Sequence, residues 1–97
     1  MRVISPKRLK DFWDIHPQAE NPLRDWCRAV EAADWTKFAD VRQQFPHADQ
    51  VGRLMVFNVG GNRFRVVVAI HFNTGCVFIR FVGTHAEYDQ GTWKKDS

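Results

Sequence analysis

Residues 54–82 read LMVFNVGGNRFRVVVAIHFNTGCVFIRFV, three apolar runs parted by Gly60-Gly61-Asn62 and Asn73-Thr74-Gly75. Each run has the length and the β-branched and aromatic enrichment of a strand, and each break holds residues that tolerate positive φ. The spacing therefore predicts strands over Leu54–Val59, Arg63–Phe72 and Cys76–Val82, joined by tight hairpins into an antiparallel meander. In the middle run Phe64, Val66, Val68, Ile70 and Phe72 alternate with Arg63, Arg65, Val67, Ala69 and His71, so the first set is the core face and the second the open one. A two-residue Asn73-Thr74 loop places Arg80 opposite Val67 and diagonal to Arg65, whereas a three-residue loop buries Arg80. An unpaired buried guanidinium is costly, which favours the even loop and a basic face of Arg63, Arg65, Arg80 and His71, joined by Asn58.

Upstream, the period is helical. Ser5-Pro6 is a capping residue followed by proline, and Leu9, Phe12 and Trp13 share one face until Pro17 stops the helix. Asn21-Pro22 repeats the signal before the stripe Leu23, Trp26, Cys27, Val30 and Ala33. A shorter helix is expected over Thr36–Gln44, a short strand over Arg2–Ile4, and a loop over His47–Gly52. The fold class is α+β: N-terminal helices packed on a small, mainly antiparallel sheet. The 97 residues, with eight Phe and four Trp, suit one domain spanning 1–97, whose residues 90–97 read as a loose polar tail.

Composition narrows the function. The longest apolar run, Val66–Ile70, is far short of the roughly 20 residues of a spanning helix, and no apolar signal core follows the first charged residues. Two cysteines, Cys27 and Cys76, make no disulfide framework, so the cytoplasm is the expected location, with no membrane partner. Residues 1–50 balance eight basic against eight acidic side chains, whereas 51–97 hold six against three. No carboxylate occurs between Asp49 and Glu87, a stretch containing Arg53, Arg63, Arg65 and Arg80 and no lysine. Arginine's planar fork suits phosphate oxygens, so a polyanion is the implied partner, unless the arginines are merely solvated or paired.

Proton-transfer groups concentrate in Gly83-Thr84-His85-Ala86-Glu87-Tyr88-Asp89. A helical turn brings His85 and Tyr88 to one side and an extended segment sends them apart; the alternative to catalysis is a cap with Tyr88 packed at the sheet edge. Histidines 16, 47, 71 and 85 lack zinc-site spacing, so no metal or other cofactor is expected. The two serines form no nucleophile elbow, and Gly60-Gly61-Asn62-Arg63 lacks the lysine of a phosphate-binding loop. Trp13 and Trp26 lie on apolar stripes and read as core.

The stretches Val56–Arg65 and Phe78–Asp89, with Ala33-Asp34-Trp35, Ala39-Asp40-Val41 and Phe45–Gly52, resemble HigB-type toxins of the RelE superfamily over nearly the whole chain. The resemblance implies a metal-independent endoribonuclease that cuts mRNA in the ribosomal A site by attack of the 2′-hydroxyl on the adjacent phosphate. It implies neutralisation by a helix-turn-helix antitoxin of the HigA type, with operator DNA bound only through that complex. On this view Arg65 and Arg80 hold the scissile phosphate, His85, Glu87 and Tyr88 move protons, and Asn58, Asn62, Arg63, Arg53 and His71 contact RNA. The superfamily's lysine-rich sites have no counterpart here, since no lysine lies between residues 38 and 93. The alternative is a non-catalytic RNA-binding module using the same arginines.

Overall fold

The computed structural model describes residues 1–91, 93 and 94. Strand β1 (Arg2–Ile4) leads into α1 (Pro6–Ile15), with Ser5 extended at its N-terminus but making no side-chain cap bond. Leu9 is buried, and Phe12 and Trp13 pack against the same core. Pro17 stops α1 as expected, but it opens a 3-10 turn, Pro17–Ala19, which runs straight into α2 (Glu20–Ala32). Asn21-Pro22 therefore sits in the first turn of α2 rather than ahead of it. Proline is tolerated there because the first-turn N–H groups have no intrahelical acceptor. The stripe Leu23, Trp26 and Val30 is buried, while Arg24 faces outward and donates to Glu20 at 2.8 Å. Helix α3 (Phe38–Gln44) begins two residues later than expected. The Asp40 carboxylate accepts from both the backbone N–H and the hydroxyl of Thr36, at 2.8 and 2.9 Å, holding Thr36 ahead of the helix.

The sheet adds β2 (Asp49–Val51), β3 (Leu54–Val59), β4 (Phe64–His71) and β5 (Cys76–Thr84), in the order β1-β5-β4-β3-β2. Strand β1 runs parallel to β5, and the other pairs are antiparallel. The stretch expected as a loop between His47 and Gly52 thus holds a strand. At three residues β2 carries no readable alternation, and it is pinned to β3 by the turn at Gly52 (φ 60°) and Arg53.

Both long hairpins close with four residues. In the first, Gly60, Gly61 and Asn62 all have φ between 62° and 79°, so the glycines serve a backbone that L side chains rarely adopt. In the second, His71 pairs with Cys76, so the loop is Phe72–Gly75 rather than Asn73-Thr74, with the expected even parity. The register then breaks: Val68 pairs with Ile79 but Val67 with Phe81, and Arg80 is the extra residue of a β-bulge. Arg80 therefore does not face Val67 alone; it shares that position with Phe81. Strand β1 covers β5 only as far as Phe78. Past that point Arg8 of α1 donates to the carbonyls of Ile79 and Arg80, at 2.7 and 3.2 Å, and so holds the bulge from outside.

The core face behaves as read: Phe64, Val66, Val68, Ile70 and Phe72 all join the cluster beneath the helices. The opposite face is less open than expected. Leu54, Val56, Val67 and Trp93 form a second buried cluster there, with Phe81 and Tyr88 packed against it. Trp93, read as part of a loose tail, is only 4 % exposed. It stacks on Tyr88 with ring centroids 4.9 Å apart and donates its indole N–H to the Tyr88 carbonyl at 2.9 Å. Thr92 and residues 95–97 of that tail lie outside the described residues.

Candidate active site

Arg65 is the one buried charged side chain among the described residues, 7 % exposed. Its placement follows from the hairpin. The left-handed turn through Asn62 brings that residue back over β4, so its carbonyl accepts from Arg65 Nη1 at 3.0 Å and its side-chain oxygen from Nη2 at 2.9 Å. The Phe64 carbonyl also accepts from Nη1, at 3.2 Å. Every acceptor is neutral, and among the described residues no carboxylate lies within ion-pair distance. The guanidinium is thus oriented by dipoles without being neutralised, an arrangement that keeps its charge for an anion.

Helix α4 (His85–Asp89) stands beside it. A reciprocal capping box starts the helix: Glu87 N–H donates to Thr84 Oγ1 at 3.2 Å, and the Thr84 N–H donates to Glu87 Oε1 at 2.8 Å. The His85 N–H donates to the Arg63 carbonyl at 2.9 Å, tying α4 to the β3–β4 loop. The helical alternative for the motif is therefore the one adopted. The Tyr88 ring lies 5.7 Å from the Arg65 guanidinium carbon. On the other side, His85 Nδ1 and Asp89 Oδ2 are 2.7 Å apart, one turn along. With its proton on Nδ1, that imidazole presents a lone pair at Nε2.

Burial holds the Tyr88 hydroxyl above the usual tyrosine range, the Asp49 carboxylate adding to this and Arg65 opposing it. Tyr88 accordingly keeps its proton at neutral pH, and the charge neighbouring it comes partly from β2, which the sequence did not reveal as a strand.

The residues singled out in the sequence separate into three places. Asn58 is the cross-strand partner of Arg65, and with Asn62, Arg63, His85, Glu87 and Tyr88 it gathers at one end of the sheet. Arg80 stands exposed in the bulge. Arg53 and His71 line a separate groove with Phe38 and Phe72, at the far end of β4. Six residues of strand, about 20 Å, separate His71 from Arg65, so the two do not share one patch. Within the site Glu87 is engaged by the helix cap. Asp89 was missed as a partner, although its spacing of four from His85 signalled it; Asp49 and Trp93 had no such signal. Among the described residues no three His, Cys, Asp or Glu side chains gather as metal ligands, and no helix is long and apolar enough to cross a membrane.

The chain is 36% identical over 92 residues to the mRNA interferase toxin HigB of Escherichia coli K12, an alignment covering 92% of this chain and 88% of that protein. The mRNA interferase HigB of Shigella flexneri matches equally. That of Escherichia coli O6:H1 is 28% identical over 95 residues, 95% of this chain and 92% of its own length. Residues 19–91, from the turn before α2 to the glycine after α4, match the model of the HigB toxins, so the chain belongs to that family of RelE-like toxic components of toxin-antitoxin systems.

Proposed function

We propose that this toxin is a metal-independent endoribonuclease that cleaves mRNA in the ribosomal A site and thereby arrests translation. The observation that carries the reading is the buried, un-neutralised Arg65 with the Tyr88 ring 5.7 Å from its guanidinium carbon, on a helix that also carries His85 bonded to Asp89. Cleavage requires three things: removal of the 2′-hydroxyl proton, stabilisation of the pentavalent phosphorane, and protonation of the departing 5′-oxygen. The O2′–P bond forms as the P–O5′ bond breaks, leaving a 2′,3′-cyclic phosphate and a 5′-hydroxyl. His85, oriented by Asp89, takes the 2′ proton; Arg65 holds the non-bridging oxygens; Tyr88 gives its proton to O5′. Glu87 acts by starting α4, Arg80 and Arg63 contact the flanking backbone, and Asn58 and Asn62 meet the RNA beside it.

Weak acid–base machinery is consistent with dependence on the ribosome, which supplies an aligned message. Its cytoplasmic partner is a helix-turn-helix antitoxin of the HigA type, which carries the operator-DNA contacts because the described residues of the toxin present no recognition helix. The test is primer extension on a defined message in a reconstituted translation reaction, with and without ribosomes. In-frame cuts that need ribosomes, lost in His85→Ala and retained in part by Asp89→Asn, are expected. A message left intact by folded wild type reduces the site to an RNA-binding surface. A substrate with sulfur in place of O5′ isolates the acid, because a thiolate leaves without a proton: it should erase the defect of Tyr88→Phe and not that of His85→Ala.

A further inference from the structure

Beside Arg65 lies a cavity of about 420 Å³ that the reaction as described does not use. It exists because β2 is short. Pairing between β2 and β3 stops at Asp49 and Val56, so among the described residues no strand pairs with the outer side of residues 57–59 of β3. The connection from α3 to β2 swings away there and leaves a gap closed above by the β3–β4 loop. Phe45, Pro46, His47, Phe57, Asn58 and Asn62 line it. The floor is apolar and fixed, since Phe45 and Phe57 meet edge-to-face at 5.1 Å. The rim is polar, with the amides of Gln44, Asn58 and Asn62 and an exposed imidazole.

Two of these wall residues belong to the phosphate anchor itself. Asn58 is opposite Arg65 across the ladder, and the Asn62 side-chain oxygen is engaged by Arg65 Nη2. That engagement leaves the Asn62 amide nitrogen with its donors unspent. An apolar floor next to outward-facing amide donors, adjoining a phosphate anchor, is the chemistry that receives an unstacked nucleobase: the ring face packs and the acceptor atoms of its edge are read. We infer that this cavity is the specificity pocket of the toxin, taking the base adjoining the scissile phosphate. The inference rests on the nuclease reading for its substrate class, and it adds where the choice of cleavage site is made.

The experiment compares wild type with His47→Ala and His47→Trp, which open and fill the mouth at an exposed position; equal thermal melting verifies the fold. Messages containing every codon are translated in a reconstituted reaction, and cuts are mapped by primer extension. Wild type should prefer one base flanking the cut, by about 5- to 150-fold, the range of a well-placed amide contact. Both variants should redistribute the cuts, His47→Ala at least halving the preference. Cutting by all three proteins with one identical spectrum, or a wild type without preference, overturns the pocket and leaves the nuclease standing. If wild type leaves every message intact, the nuclease reading fails. The pocket is then decided by anisotropy with 2′-O-methyl hexanucleotides differing at one base: discrimination that His47→Ala weakens supports it, and equal binding of all four bases overturns it.

Discussion

Arg65 holds its position by donating to three neutral oxygens, and its substitution has consequences for both folding and chemistry. Truncation in Arg65→Ala removes those bonds and leaves the Asn62 and Phe64 carbonyls to water or to nothing. A loss of about 1–3 kcal/mol in urea unfolding is expected, with message cleavage abolished. Arg65→Lys restores the charge but cannot span the same acceptors, so it should recover stability more than cleavage. Tyr88 makes the pH prediction. Its folded-state pKa lies above the unfolded one, so its contribution to stability is complete below about 10 and is lost as pH rises from there through the raised value. Urea titrations from pH 8 upward should reveal that loss in wild type, and Tyr88→Phe should lack it. The sequence left open whether Tyr88 shares a side with His85, and it could not disclose Trp93 beneath it or Asp49 near it, because both come from segments with no periodicity to read.

Among the elements, the β5 bulge and the strand beyond it decide the shape of the site. Gly83 pairs with Arg65, and a Cβ there would come within 2.3 Å of the Phe81 ring. Phe81 is packed in the smaller cluster with Tyr88, so the ring cannot turn aside freely, and Gly83→Ala should cost about 1–3 kcal/mol in urea unfolding. Arg8 acts on the same strand from the opposite side. Arg8→Ala leaves the Ile79 and Arg80 carbonyls without their donor and lets the bulge relax toward the unbroken register. Cleavage should fall with it, although Arg8 is on a helix that contributes nothing to the chemistry. Helices α1 and α2 and the three long strands were legible because each repeats a pattern several times: Leu23, Trp26 and Val30 for α2, Phe64 through Phe72 for β4. What stayed hidden was non-repeating. One extra residue at Arg80, a three-residue β2 and a proline-led turn at Pro17 each shift a register or a boundary without changing any period.

Taken as a whole, the molecule sets Arg53 and His71 at one end of the sheet and Arg63 and Arg65 at the other, with Arg80 in the bulge, an outcome the alternation along β4 obscured by placing Arg65 and His71 on one face. RNA long enough to span both should sense Arg53 as a distant phosphate contact. For Arg53→Ala the salt dependence of binding to such an RNA should fall by about one charge, and KM should rise more than kcat declines. Short oligonucleotides should not distinguish this variant from wild type. The neutral cradle around Arg65 extends the same logic to folding. A cation enclosed without a counter-charge makes the native state a sink for small oxyanions, and any ion that binds N and not U raises the melting point with its concentration. Sulfate should therefore protect wild type against heat more than chloride at matched ionic strength does, and that difference should shrink in Arg65→Ala. The toxin's thermal resistance would then serve as a gauge of how fully its reactive centre is occupied, readable before any RNA is added.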